Sequence, residues 1–355
     1  MPVLLDLVGA ESSKVSVGTS PIAELQACLH SLAEPDHHLD SRPWLVQTGQ
    51  SLSRELRQRL TEFAPLWARR RCRLLLPLCA PLDASVDDEI GRVARLPDPE
   101  FIAAAAYSIQ GGAFDPQQAV TRPGEFIAAC ESRSFSRGEL ARFLLDDPDD
   151  FRNSLVRTLT DCVEEFFAKE WGRVRPRLRD EAEQTRSRLS GLSLAELISS
   201  VSPAAQPVQD GRAVRFDKLQ NLTVALRGNR TFLIPTIHGR PHVIIRGEPG
   251  FPVVVHYPVA WRRQPPSIDE MQQRLTILSD PSRLALCRHL VNEAITTSDL
   301  SRRTNMTRPQ VSRHLSKLRS AGLLRSERSG RYVYHRIDVH DLAQIGLELL
   351  RAIVR

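Results

Sequence analysis

No stretch of the 355-residue chain approaches the roughly 18–20 consecutive apolar residues that span a bilayer, which excludes a transmembrane helix. The opening Met1-Pro2-Val3-Leu4-Leu5-Asp6 lacks the basic segment and long apolar core of a secretion signal, so the expected compartment is the cytoplasm. Paired cysteines are missing too. Cys28, Cys72, Cys79, Cys130, Cys162 and Cys287 stand scattered, with no CxxC and no histidine at metal-ligand spacing, and are expected to be small buried hydrophobes. No glycine-rich phosphate loop, nucleophile elbow or HExxH occurs, and Arg227-Gly228-Asn229 reads as a turn; no catalytic residue, metal or cofactor is expected.

Carboxylates are absent from Thr307 to Arg325. A solvated helix normally mixes both signs, so a basic stretch without Asp or Glu points to a polyanionic partner. The charge of the whole chain agrees: residues 267–355 hold 15 Lys and Arg against 9 Asp and Glu, whereas residues 1–266 hold 33 of each. The entire excess of +6 lies in the C-terminal part. A basic module joined to a neutral one is expected where one half holds nucleic acid and the other does something else.

Within that stretch a helix is marked at both ends. Thr307 supplies an N-cap oxygen, Pro309 sits in the first turn, and Gly322 can take the left-handed conformation that ends a helix, with Leu323 placed to close on Leu318. Val311, Leu315 and Leu318 form its buried stripe. Upstream, Thr296-Thr297-Ser298-Asp299 starts a short helix through Arg303, and only Thr304-Asn305-Met306 separates the two: a helix-turn-helix. Downstream, Leu323 to Arg328 and Arg331 to Ile337 flank Ser329-Gly330, a hairpin signal that makes a wing.

Ser279-Asp280-Pro281-Ser282-Arg283-Leu284, Ser312-Arg313-His314-Leu315, Ala321-Gly322-Leu323-Leu324 and Gly330-Arg331-Tyr332-Val333-Tyr334 resemble, in order, the signatures of the ArsR/SmtB winged-helix repressors. The resemblance covers Ser267 onward and implies a dimer paired through its outer helices. Two apolar stripes fit that expectation: Ile268, Met271, Leu275 and Leu278, then Leu342, Ile345, Leu349 and Ile353, too many for so small a module to cover alone. Metal sensing by the family's routes is not expected. Ile295 to Leu300 holds no thiolate, and Asp338-Val339-His340 lacks its second half because Arg351 and Val354 occupy the other ligand positions; Asp338 reads as an N-cap.

Residues 1–262 are expected to form a helical region up to about 200 and a small, mostly antiparallel β-rich part over 211–260, with 263–266 as linker to a winged-helix domain over 267–355. The fold class is therefore α+β, mainly helical. A core helix is predicted over Ser51 to Arg71, and two long helices from Asp149 to Leu189 with a break or kink at Pro176. Asp36-His37-His38-Leu39-Asp40 reads as a solvated connection, and His238, His242 and His256 as ordinary histidines. Ser20-Pro21 with Glu24-Leu25, Leu74-Leu75-Leu76-Pro77, and Leu233-Ile234-Pro235 ahead of Val255-His256-Tyr257-Pro258 also resemble an uncharacterised region found before an ArsR-type module in some actinobacterial regulators.

The expected function is a sequence-specific, homodimeric regulator of transcription, a repressor by family, that binds double-stranded DNA. Gln310, Ser312 and Arg313, with Arg308 close by, are placed for base edges, and Lys317, Arg319, Arg328 and Arg331 for phosphates. Thr307 and Ser316 complete the DNA-facing set. Residues 1–262 could bind an organic ligand, bind a protein, or brace the dimer; the first is favoured because helices alternating with a sheet offer concave sites between layers. The competing class is an enzyme or protein-interaction scaffold whose winged helix contacts protein, and a steep salt dependence of duplex binding separates the two.

Overall fold

The computed structural model describes residues 3–38, 41–68, 70–111, 117–202, 205–216, 222–240, 242–259, 268–329 and 332–337, together with 342, 345, 346 and 349. The chain forms two compact units, Met1–Val259 and Ala260–Arg355. The expected linker 263–266 lies outside the described residues. The fold is α+β and mainly helical.

In the first unit, strands β1 (Val3–Asp6) and β2 (Val15–Val17) precede helices α1 (Pro21–Ala33), α2 (Arg42–Ser51), α3 (Arg54–Glu62), α4 (Val86–Ala94) and α5 (Asp98–Gln110). Helices α6 (Gln118–Thr121), α7 (Pro123–Glu131), α8 (Phe135–Asp146), α9 (Pro148–Cys162), α10 (Ala168–Leu189) and α11 (Leu194–Ser200) follow. Strands β3 (Ala205–Val208), β4 (Ala213–Phe216), β5 (Leu222–Ala225), β6 (Thr231–Thr236), β7 (Ile244–Arg246) and β8 (Val253–Pro258) complete the unit. Instead of one small antiparallel sheet there are two of four strands, in the orders β3-β4-β1-β5 and β2-β6-β8-β7. In the first, β1 runs antiparallel to β4 and parallel to β5; in the second, β2, β6 and β8 run parallel and only β7 opposes.

Burial explains the parallel pairing. All six residues of β6 and five of β8 are buried, as expected of strands covered on both faces. Leu233, Val253, Val255 and Tyr257 pack with Val3, Leu5 and Phe216 of the first sheet, while Phe232, Ile234 and Val254 pack against Ala23 of α1. Helix α1, capped by Ser20 whose hydroxyl accepts from Ala23 N at 3.2 Å, is buried from Pro21 to Ser31 between sheet and helices.

Several expected elements shift. The helix predicted over Ser51 to Arg71 divides: Ser53 caps α3, and Pro65, which lacks an N–H, turns the chain after Phe63. Helix persists through Pro176, and the irregularity falls earlier, in a π-turn at Val163–Phe167 that seats the adjacent Phe166 and Phe167 in one core. Five cysteines are buried as expected, but Cys79 is exposed because it lies on a surface loop before α4. His38, read as solvated, is buried among aromatic rings; Leu39 and Asp40 lie outside the described residues.

The second unit consists of α12 (Ile268–Leu278), α13 (Pro281–Asn292), β9 (Ile295–Thr296), α14 (Thr297–Thr304), α15 (Arg308–Ser320), β10 (Leu324–Ser329) and β11 (Tyr332–Ile337). Its core gathers Leu286, Leu290, Leu300, Val311, Leu315, Leu318 and Ile337.

Candidate nucleic-acid interface

Short-range chemistry sets the pair α14–α15. Thr296 caps α14, its hydroxyl accepting from Asp299 N at 3.2 Å and donating to the Asp299 carboxylate at 2.6 Å, a bond that holds the carboxyl below its ordinary value. Asn305 ends the helix in the left-handed conformation at φ 53°, a position that asparagine tolerates, and Ser301 Oγ donates to Met306 O at 2.6 Å across the turn. Thr307 then opens α15 with a full capping box: Gln310 N donates to Thr307 Oγ1 at 3.4 Å, and Gln310 Oε1 accepts from Thr307 N at 2.8 Å and Thr307 Oγ1 at 3.0 Å. At the far end Gly322 adopts φ 73°, with Gly322 N bonded to Arg319 O and Leu323 N to Leu318 O, the two bonds of a Schellman closure.

Val311, Leu315 and Leu318 face the core, which leaves Thr307, Arg308, Gln310, Ser312, Arg313, Ser316, Lys317 and Arg319 exposed. All eight helix residues expected to face DNA thus share the solvent side. Two are committed within the fold. The side-chain oxygen of Gln310 is occupied by the cap, and Arg319 Nη2 donates to Ser326 Oγ at 3.0 Å.

The wing is three-stranded, in the order β10-β11-β9, and the short β9 was not foreseen. Ser329 belongs to β10 and pairs with Tyr332, although the Ser329-Gly330 signal put it in the turn; Gly330 and Arg331 lie outside the described residues. Arg328 is exposed near its tip, while Arg331 lies outside the described residues. His335, buried on β11, joins three elements: its Nδ1 lies 2.9 Å from Ser326 Oγ and its Nε2 3.1 Å from Thr297 Oγ1. Burial, then the charge of Arg319, holds this imidazole below its ordinary value. Arg319, Ser326, His335 and Thr297 therefore link α15 to the wing and to the start of α14, a role that no spacing in the sequence signals.

Arg283, part of a quoted motif but given no role there, is buried and bonds back to Ile277 O and Thr276 O while pairing with Asp280 at 3.3 Å. It ties the end of α12 to the start of α13. The expected pairing stripes divide in the structure. Met271 and Ile345 are 1% and 5% exposed in the unit's own core, and Leu342 and Leu349 pack against it. Leu275 is 38% exposed, and Leu284 on α13 49%. Met271 and Ile345 thus fill the core of their own unit and are not on an outer face. The side chain of Ile268 lies outside the described set, as do Asp338 and His340.

These features define a winged helix-turn-helix that follows a larger helical and β unit in the chain. The chain belongs to a family of unknown function, DUF5937, whose profile spans residues 1–263, and a helix-turn-helix domain profile matches residues 278–327. It is similar to the HTH-type transcriptional repressor SmtB of Mycobacterium tuberculosis, 35% identical over 81 residues, which are 23% of this chain and 60% of that protein. The arsenic resistance transcriptional regulator ArsR2 of Pseudomonas putida is 40% identical over 50 residues, 12% of this chain and 44% of that one. The chain thus spans 60% or less of the length of these relatives. An ArsR-like transcriptional regulator from Rhodococcus is 26% identical and covers 23% of this chain and 78% of its own, with a TM-score of 0.23. NolR from Sinorhizobium fredii is 24% identical over 23% of this chain and 83% of its own, with a TM-score of 0.21. Among the described residues no helix is long and apolar enough to cross a membrane.

Proposed function

We propose that this protein is a homodimeric, sequence-specific DNA-binding repressor of transcription, acting in the cytoplasm, whose affinity for its operator is set by an organic ligand held in the N-terminal unit. The observation that carries the reading is the outer face of α15, where Arg308, Arg313 and Lys317 stand exposed on a stretch free of carboxylates from Thr307 to Arg325. Such a face pays self-repulsion in solution and recovers it against phosphates. The N-terminal half of α15 enters the major groove, with Ser312, Arg313 and the amide nitrogen of Gln310 at base edges and Lys317, Arg319, Arg328 and Arg331 on the backbone. Two copies read an inverted repeat with half-sites about 10–10.5 bp apart or a multiple of it.

Binding to duplex DNA across a salt series tests the reading, since each phosphate neutralised contributes about 0.9 to the logarithmic slope. Arg313→Ala is expected to lower discrimination at one base pair by about 1–3 kcal/mol. A flat salt response refutes DNA binding, and equal weakening on operator and random duplex refutes the base-reading role. Higher output from an operator-bearing promoter when the protein is added refutes repression.

A further inference from the structure

The wing carries a buried histidine whose ring nitrogens reach two different elements. Along β11 Arg336 is exposed while His335 and Ile337 turn inward, and His335 is 4% exposed. Strand pairing sets Ser326 of β10 opposite His335 on one side and Ile295 of β9 on the other. Because β9 runs straight into the first turn of α14, Thr297 comes with it. Ser326 Oγ thus lies 2.9 Å from Nδ1, and Thr297 Oγ1 3.1 Å from Nε2. Held below its ordinary value by burial and by the charge of Arg319, the imidazole is neutral near pH 7, so one nitrogen donates and the other accepts. In either tautomer the Ser326 oxygen keeps a lone pair, and Arg319 Nη2 donates to it at 3.0 Å.

Arg319 differs from the arginines of α14 in what holds it. Arg302 pairs with Asp299 and Arg303 with Glu293, so each of those charges is cancelled where it stands. Arg319 is tied to a neutral hydroxyl, and Glu327, next along β10, alternates to the opposite face of the wing. A carboxylate restrains a guanidinium and neutralises it; a hydroxyl restrains it and leaves the charge for an outside anion. Among the described residues the Nε and Nη1 hydrogens of Arg319 have no partner, and the side chain is exposed.

We infer that His335 is a positioning residue: through Ser326 it holds the Arg319 guanidinium between α15 and the wing, set to take one phosphate of the DNA backbone. The inference rests on the DNA-binding reading above and deepens it. Ordering a long side chain during association weakens binding, and a side chain ordered beforehand avoids that loss. The bond to Thr297 fixes the ring plane so that Nδ1 faces Ser326. The contact made by Arg319 positions the duplex and carries no sequence information.

Two conservative substitutions divide the bonds of the ring. Asparagine places its amide where Nδ1 stands and glutamine where Nε2 stands, so His335→Asn keeps the Ser326 bond and His335→Gln the Thr297 bond. Each loses one bond, and both are expected to lower the urea midpoint by similar amounts. Duplex affinity is expected to stay within about twofold of wild type in His335→Asn and to fall about three- to tenfold in His335→Gln, alike on operator and random DNA. Ser326→Ala, at an exposed position, is expected to match His335→Gln and decides the matter should the His335 variants not fold. In an Arg319→Ala background, with its salt slope shallower by about one, neither His335→Gln nor Ser326→Ala is expected to weaken binding further. Equal losses in His335→Asn and His335→Gln, or losses that persist without Arg319, mark a merely structural histidine and overturn the inference. Nitrogen relaxation of the Arg319 Nε–H in the DNA-free full chain separates this inference from the reading beneath it. That group is expected to be as ordered as the backbone of α15 in the wild type and in His335→Asn, and mobile in His335→Gln. A mobile Arg319 in the wild type overturns the inference however well DNA binds. An ordered Arg319 beside a flat salt response refutes DNA binding instead, and the phosphate role falls with it while the restraint stands.

Discussion

Gln310 has one duty in the cap and a proposed one at the base edges, and a single substitution can pull them apart. Its Oε1 accepts from both Thr307 N and Thr307 Oγ1, which leaves only the amide nitrogen to meet a base. Gln310→Glu keeps the acceptor and places a negative charge in the first turn of α15, where the helix dipole favours it by about 0.3–1 kcal/mol. The same change removes the donor and sets an anion against purine N7 and the phosphates, at a cost of about 1–3 kcal/mol in operator binding. The expected result is a winged-helix unit as stable as the wild type or slightly more so in urea, with operator affinity about tenfold weaker or worse. Gln310→Ala should instead lower both, with roughly 0.5–1 kcal/mol lost from stability as the reciprocal cap goes. Urea unfolding and duplex titration of the same three proteins supply both axes. Loss of stability in Gln310→Glu would refute the capping argument, and unaltered operator binding would remove Gln310 from the interface.

Gly322→Ala should cost the second unit about 1–2 kcal/mol by urea unfolding, the penalty of the left-handed conformation for a residue with a Cβ. Among the described residues beyond its chain neighbours, none comes nearer the added carbon than Arg274 Nη2 at 3.9 Å, so a loss much above that would point to packing instead. Leu275→Glu should leave the fold intact and yield monomers in sedimentation, whereas Met271→Glu should unfold the unit by burying a charge; a folded, dimeric Leu275→Glu would move the pairing surface elsewhere. Burial pushes Glu89 up to about 7 against the bonds from Ile22 N and Ser20 Oγ. A carboxyl raised in the folded state stabilises fully below its unfolded value and loses that contribution as pH rises through the folded one, here roughly 2–4 kcal/mol between about pH 4.5 and 8. Glu89→Gln should flatten that fall in melting temperature, and an unchanged slope would show that Glu89 ionises without cost.

Local signals made the second unit legible. The caps at Thr296 and Thr307 and the left-handed Gly322 act within one turn, and each is found where the residues placed it. β10 runs through Ser329, one residue past its expected end, because β-propensity does not say where a strand stops, and β9 escaped notice because two residues have no period. The first unit was harder for the opposite reason. Val3 pairs with Leu222 and Val17 with Leu233, and short strands with turn residues between them suggested an antiparallel sheet where the chain instead makes distant parallel pairings. Met271 and Ile345 show the limit of stripe arguments: periodicity marks an apolar face but not whether its own unit covers it.

The position of β1 has a consequence for how the protein comes into being. Lying between β4 and β5, it is an interior strand whose partners are synthesised only after every helix of the first unit. During translation β1 therefore leaves the ribosome with unsatisfied backbone groups and an apolar face, and waits for nearly the whole unit to emerge. The second unit, built from neighbours in sequence, can assemble almost as fast as it appears. The unit made first is thus expected to finish no earlier than the short one made last. Chaperones that guard nascent chains would have their longest engagement with the opening strands.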